Sequence, residues 1–83
     1  MAQSMQKLML EFRLSGNELV LEYESRTSKC SWSIFDTGGV ELCSGTINGR
    51  PPHRIPVAGL GPDLYQLCVI DGDNLLNTRF RKD

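Results

Sequence analysis

The chain of 83 residues has no apolar run approaching the ~18 residues that a membrane-crossing helix needs, so no helical membrane insertion is expected. It has no excess of charge of either sign. Nine Lys and Arg against ten Asp and Glu leave a net charge of −1, which argues against a surface built to follow nucleic-acid phosphates. It has one histidine, His53, and three cysteines, Cys30, Cys43 and Cys68, without a Cys-x-x-Cys pair. Neither a metal site nor a redox pair is readable in that set, and no cofactor is expected. An odd cysteine count leaves at least one free thiol. A bridge between Cys30 and Cys43 would suit adjacent strands, but three reduced, half-buried thiols are the expected state. Helical periodicity is weak throughout, because alternation of period two or a breaker interrupts every stretch of about ten residues.

Catalytic patterns are scarce too. Ser31, Ser33 and Ser44 do not sit in a Gly-x-Ser-x-Gly elbow, and His53 has no evident orienting acid. Asp71, Asp73 and Asn74 lack the further oxygens and closing glutamate of a calcium loop, and an Asp-Gly hairpin turn explains them. Glu22 and Glu24 read as a solvated strand face. The protein is therefore expected not to be an enzyme. The opening residues Met1 to Phe12 carry no basic region followed by a long apolar stretch. As written, the chain is expected in the cytoplasm, or at the cell surface or outside if it belongs to a longer exported protein.

What the sequence does contain is short alternating segments. The central one is Cys30 to Ile47, read as two strands joined by a turn in which Gly38 and Gly39 supply the freedom for φ > 0. Trp32 and Ile34 are expected on the inner face of one strand, Val40 and Leu42 on that of the other. The lone indole, Trp32, is expected to anchor the core. Around this hairpin lie segments at Lys7 to Leu14, Glu18 to Glu24, His53 to Val57, Leu64 to Ile70 and Leu75 to Arg81. Pro56 demotes the His53 segment to an edge, and Leu60 is the expected buried peg of the connection after it. Seven strands at this spacing predict an all-β, antiparallel sandwich formed by residues 7–83 as one domain, after a flexible N-terminus of residues 1–6. Its expected core is Leu10, Phe12, Leu21, Tyr23, Trp32, Ile34, Leu42, Leu67, Val69 and Phe80.

If Tyr65, Leu67 and Val69 point inward, Leu64, Cys68 and Ile70 face out of the same sheet. Val20 and Phe35 are expected to add to this second apolar face. Such a face is either covered by a loop or docks a protein partner, and an edge strand offers a second route to binding. The residues Arg79, Arg81 and Lys82 form a short basic tail. It either keeps the last strand soluble and discourages edge pairing, or is gripped by a receptor that reads a C-terminus.

From Ser25 onward, over about sixty residues, the sequence resembles the C-terminal sorting domain of cargo proteins of the Bacteroidetes type IX secretion system. The stretch WSIFDTGGVELCSGTI is similar to that family's strand–Asp-x-x-Gly–strand hairpin, with Asp36 and Gly39 on the motif. The stretch IPVAGLGPDLYQLCVIDGDNLLNTRFRKD resembles its Leu…Tyr strand, Gly-containing turn and final strand. Leu60 and Tyr65 match the former motif, Phe80 and Lys82 the terminal one, while Asp63 stands where the family has glycine. The resemblance implies a seven-stranded antiparallel Ig-like β-sandwich and a non-catalytic role as an address read by secretion machinery. The alternative is a free-standing adaptor or inhibitor that uses an edge strand or the apolar face, or pairs as a homodimer. The expected interaction residues are Asp36, Gly39, Leu64, Cys68, Ile70, Arg81 and Lys82.

Overall fold

Alternation becomes seven strands in the computed structural model, which describes residues 10–83. The expected flexible N-terminus (1–6) and the opening of the first segment (7–9) lie outside the described residues. The strands are β1 Phe12–Ser15, β2 Glu18–Leu21, β3 Cys30–Phe35, β4 Glu41–Thr46, β5 His53–Pro56, β6 Asp63–Asp71 and β7 Asn74–Lys82. They form a three-stranded sheet ordered β1-β2-β5 and a four-stranded sheet ordered β4-β3-β6-β7. Every pairing is antiparallel, and the fold is the expected seven-stranded antiparallel Ig-like β-sandwich.

Between the sheets, Leu19 and Leu21 of β2 and Ile55 of β5 meet Ile34 of β3, Leu67 and Val69 of β6, and Leu76 and Phe80 of β7. Successive strand side chains point to opposite faces, so each of these rows is the inward half of its strand. Of the expected core, Leu10, Leu21, Tyr23, Ile34, Leu67, Val69 and Phe80 are buried, and Phe12 packs against the cluster part-buried. Aromatic edges join this layer: the Phe12 and Phe80 rings meet edge-on at 6.2 Å, and Tyr65 stacks on Phe80 at 5.6 Å.

Three expectations need correction. Leu42 is 43% exposed and Val40 58% exposed, not core. The cause is a bulge: Ile34 pairs with Cys43 but Phe35 pairs with Glu41, so Leu42 has no partner and the side-chain alternation slips by one. Cys43 and Ile47 therefore point inward instead. Trp32 is only half-buried and flanks the core rather than anchoring it. Its cross-strand partner is Gly45, and the indole fills the space where a side chain would stand. Val20, expected on an exposed face, is fully buried. It lies on the central strand of its sheet, in register between Arg13 of β1 and Arg54 of β5.

A Cβ on Gly45 would sit 2.8 Å from Trp32 Cζ2 and Nε1, closer than real contacts allow. Gly45→Ala is therefore expected to lose about 1–3 kcal/mol in urea unfolding and to red-shift Trp32 emission. Gly38→Ala meets only Asp36 Oδ1, at 3.4 Å, and has no positive φ to lose, so it is the near-neutral control. Equal effects at the two positions would contradict this packing.

Candidate functional site

The seven residues expected to interact fall into three groups. Asp36 and Gly39 belong to the β3–β4 turn. Asp36 Oδ1 accepts hydrogen bonds from the backbone N–H of Gly38 and of Val40, both at 2.9 Å, and Gly39 has φ +86°. An Asx-type bond plus one left-handed glycine is what this tight reversal requires. Beside the turn, where β3 ends and β6 continues, lies an open cleft of about 250 Å³. Its walls are Asp36, Thr37, Gly39, Leu64, Gln66 and Arg79, with Tyr65 below. The structure thus brings Asp36, Gly39 and Leu64 together.

Cys68 and Ile70 lie farther along the outer face of the four-stranded sheet. The register lays that face out in rows: Ser31–Ile70–Leu75, Ser33–Cys68–Asn77, Phe35–Gln66–Arg79 and Leu64–Arg81. Ile70 and Leu75 are neighbours across strands and are 48% and 64% exposed. Arg79 and Arg81 are exposed at the opposite end of the same face, and neither takes part in a salt bridge among the described residues. Arg81 is thus on the outer face, whereas Lys82 is not an extension of it. Its ammonium donates to the carbonyls of Val57 at 2.7 Å and Leu60 at 2.6 Å, tying the end of β7 to the β5–β6 connection.

The same connection is held by Tyr65, whose hydroxyl donates to the Gly61 carbonyl at 2.7 Å. This is the tyrosine corner of Ig-like sandwiches, a tyrosine at the start of the sixth strand bonded back a few residues upstream. Leu60 packs part-buried on the core and Phe80 lies within it. Each of the six residues that carried the family resemblance, Asp36, Gly39, Leu60, Tyr65, Phe80 and Lys82, thus has a task in building this fold.

A residue read only as part of a turn proves to be the main polar site. Asp71 is fully buried at the end of β6. Oδ2 accepts from the Tyr23 hydroxyl at 2.6 Å and the Arg26 N–H at 2.7 Å. Oδ1 accepts from the Thr27 hydroxyl at 2.6 Å and the Thr27 N–H at 3.0 Å. The bonds from Thr27 and Tyr23 outweigh burial and hold the carboxyl at about pKa 2. Burial first, and the bond to Asp71 second, push the Tyr23 phenol up to about 12. The Gly72 N–H donates to the Lys29 carbonyl at 2.9 Å, and a Cβ there would strike Thr27 at 2.9 Å. The signal in the sequence was parity: Asp71 continues the inward row of Tyr65, Leu67 and Val69, and inward Tyr23 needs a polar partner.

The remaining candidate nucleophiles and ligands have structural surroundings. His53 Nε2 donates to the Tyr23 carbonyl at 2.9 Å. All three cysteines are free. Cys43 stands opposite Ile34, four residues along β3 from Cys30, so a Cys30–Cys43 bridge would have to span roughly 13 Å. Burial raises all three thiol pKa values, helped at Cys30 by Asp71 and at Cys43 by Glu41. At neutral pH these thiols stay protonated and are weak nucleophiles. No group of three or more metal-ligating side chains occurs among the described residues, and no helix there is long and apolar enough to cross a membrane. No protein-family model matches the chain, and no curated protein matches it.

The Asp71 network sets a pH dependence. Its folded pKa lies below the ordinary value of 3.8, so its contribution to stability is complete above that value and is lost as pH falls through about 2. Asp71→Ala is expected to cost on the order of 2–4 kcal/mol at neutral pH, since it strands four donors. In denaturant titrations the gap between the two proteins should close between about pH 4 and pH 2. A gap unchanged across that range would show that the carboxylate charge is not what holds the loop.

Proposed function

We propose that this domain is a non-catalytic interaction module that docks a protein partner on the outer face of its four-stranded sheet. In line with the resemblance to type IX sorting domains, the partner is outer-membrane secretion machinery and the domain is the address it reads. The observation that carries the reading is the exposed Ile70–Leu75 pair at one end of a face whose other end presents Arg79 and Arg81, neither in a salt bridge among the described residues. The sandwich core is already filled from both sheets, so these apolar groups contribute nothing to it. Exposed apolar groups beside exposed guanidinium groups are the composition of a recognition surface. The matched motif residues support the fold, which leaves recognition to the exposed surface between them.

The test is to fuse the domain behind a reporter with an export signal, in a host that has the secretion system. The reporter is expected at the cell surface or in the medium. Ile70→Glu combined with Leu75→Glu should cut export at least roughly tenfold, as loss of a small apolar hot spot would, with the fold unchanged because both side chains face solvent. Retention of the unmodified fusion in the periplasm would contradict the address, and export insensitive to the two glutamates would contradict the face.

A further inference from the structure

The two sheets present four edges, and three are blunted. Strand β1 has four residues; β5 has four and includes Pro56; β4 carries the bulge and Gly45. Strand β7 has nine residues, Asn74 to Lys82, without proline, glycine or any break in register against β6. Long regular edges of this kind are templates for a further strand.

Its hydrogen-bonding parity follows from the turn. Gly72 and Asp73 form a two-residue loop, with Gly72 at φ +62°, that closes on the pair Asp71–Asn74. Such loops close on a hydrogen-bonded pair, and bonded and non-bonded pairs then alternate along the ladder. Asn74, Leu76, Thr78, Phe80 and Lys82 therefore turn their backbone groups toward β6. Leu75, Asn77, Arg79 and Arg81 turn theirs toward the open edge, and their side chains share the outer face with Ile70. The charges along this edge are unlike at its two ends: Asp73 precedes the strand, while Arg79 and Arg81 close it.

We propose that β7 pairs antiparallel with β7 of a second copy of this chain, about a two-fold axis through Asn77. In that register Asp73 of each copy stands opposite Arg81 of the other, Leu75 opposite Arg79, and Asn77 opposite itself. Leu75, Asn77 and Arg79, the strand residues opposed on this row, have their backbone groups free for the ladder, and beyond them two symmetric Asp73–Arg81 side-chain pairs mark its ends. A register centred on Arg79 would set the two Arg79 side chains against each other and is disfavoured. The product is a continuous eight-stranded sheet that joins the two outer faces. This dimer stands independently of whether that face carries an export address.

The experiment is sedimentation equilibrium of the full chain over a wide concentration range, with amide hydrogen exchange in parallel. A monomer–dimer equilibrium is expected, with the Leu75, Asn77 and Arg79 amides slowing as concentration rises and those of Leu76 and Thr78 protected throughout. Asn77→Pro removes an edge-facing N–H and leaves the β6 ladder intact, so it should give a folded monomer. Asp73→Arg and Arg81→Asp should each weaken dimerisation by roughly tenfold or more, and the double exchange should restore it. A wild-type monomer at every concentration would overturn the proposal. So would a dimer unaffected by the charge reversals, or one not rescued by the exchange; these variants decide the matter even if Asn77→Pro does not fold.

Discussion

A two-layer sandwich depends on how its chain passes from one layer to the other, because hydrophobic contact is non-directional and does not fix a connection's path. Here the connection from β2 to β3 is fixed by one buried carboxylate. Asp71, on the four-stranded sheet, receives the hydroxyl of Tyr23 and the backbone of Arg26 and Thr27 as the chain leaves the three-stranded sheet. At the other end of the sandwich the β5–β6 connection is fixed twice, by Tyr65 on Gly61 and by Lys82 on Val57 and Leu60. A carboxylate, a phenol and an ammonium supply the directional bonds that set the alignment of the sheets. Every buried side-chain nitrogen and oxygen among the described residues has a partner, as a low-dielectric interior demands.

This arrangement divides the molecule into a committed interior and an uncommitted surface. Polar groups of the kinds that carry chemistry elsewhere, such as His53, Tyr23, Asp71 and Lys82, are engaged in holding strands or connections. Groups without such engagement among the described residues, Ile70, Leu75, Arg79 and Arg81, collect on one face and one edge of the four-stranded sheet. Recognition through that face and edge requires no group to be withdrawn from the frame that supports it.

Much of the fold was legible because a period of two is a local property. The presence of the central hairpin, the edge character of the Pro56 segment and the inward row of β6 all follow from neighbours in sequence. The misreadings share one physical cause, which is that a strand's face is set by its partner as well as by its own alternation. A bulge opposite Ile34 and Phe35 turned Leu42 outward, a missing side chain at Gly45 left room for Trp32 at the rim, and Val20 is buried on a central strand flanked on both sides. Asp71 was passed over for a related reason: Asp-Gly signals a turn whichever way its carboxylate points. The outer face with Leu64, Cys68 and Ile70 was readable from parity, but which end of it would be apolar depended on Leu75 coming alongside Ile70. Lys82 read as part of an exposed tail because nothing in its own neighbourhood shows the carbonyls of Val57 and Leu60 waiting for it.

The claim that a buried carboxylate fixes the crossing between sheets is tested most directly by following the Asp71 side-chain carboxyl carbon by NMR as pH is lowered. The account predicts an inflection at about 2, well below the ordinary 3.8, with the Tyr23 and Thr27 hydroxyl protons slowed against exchange until that point. An inflection at the ordinary value, with those protons exchanging freely at neutral pH, would contradict it.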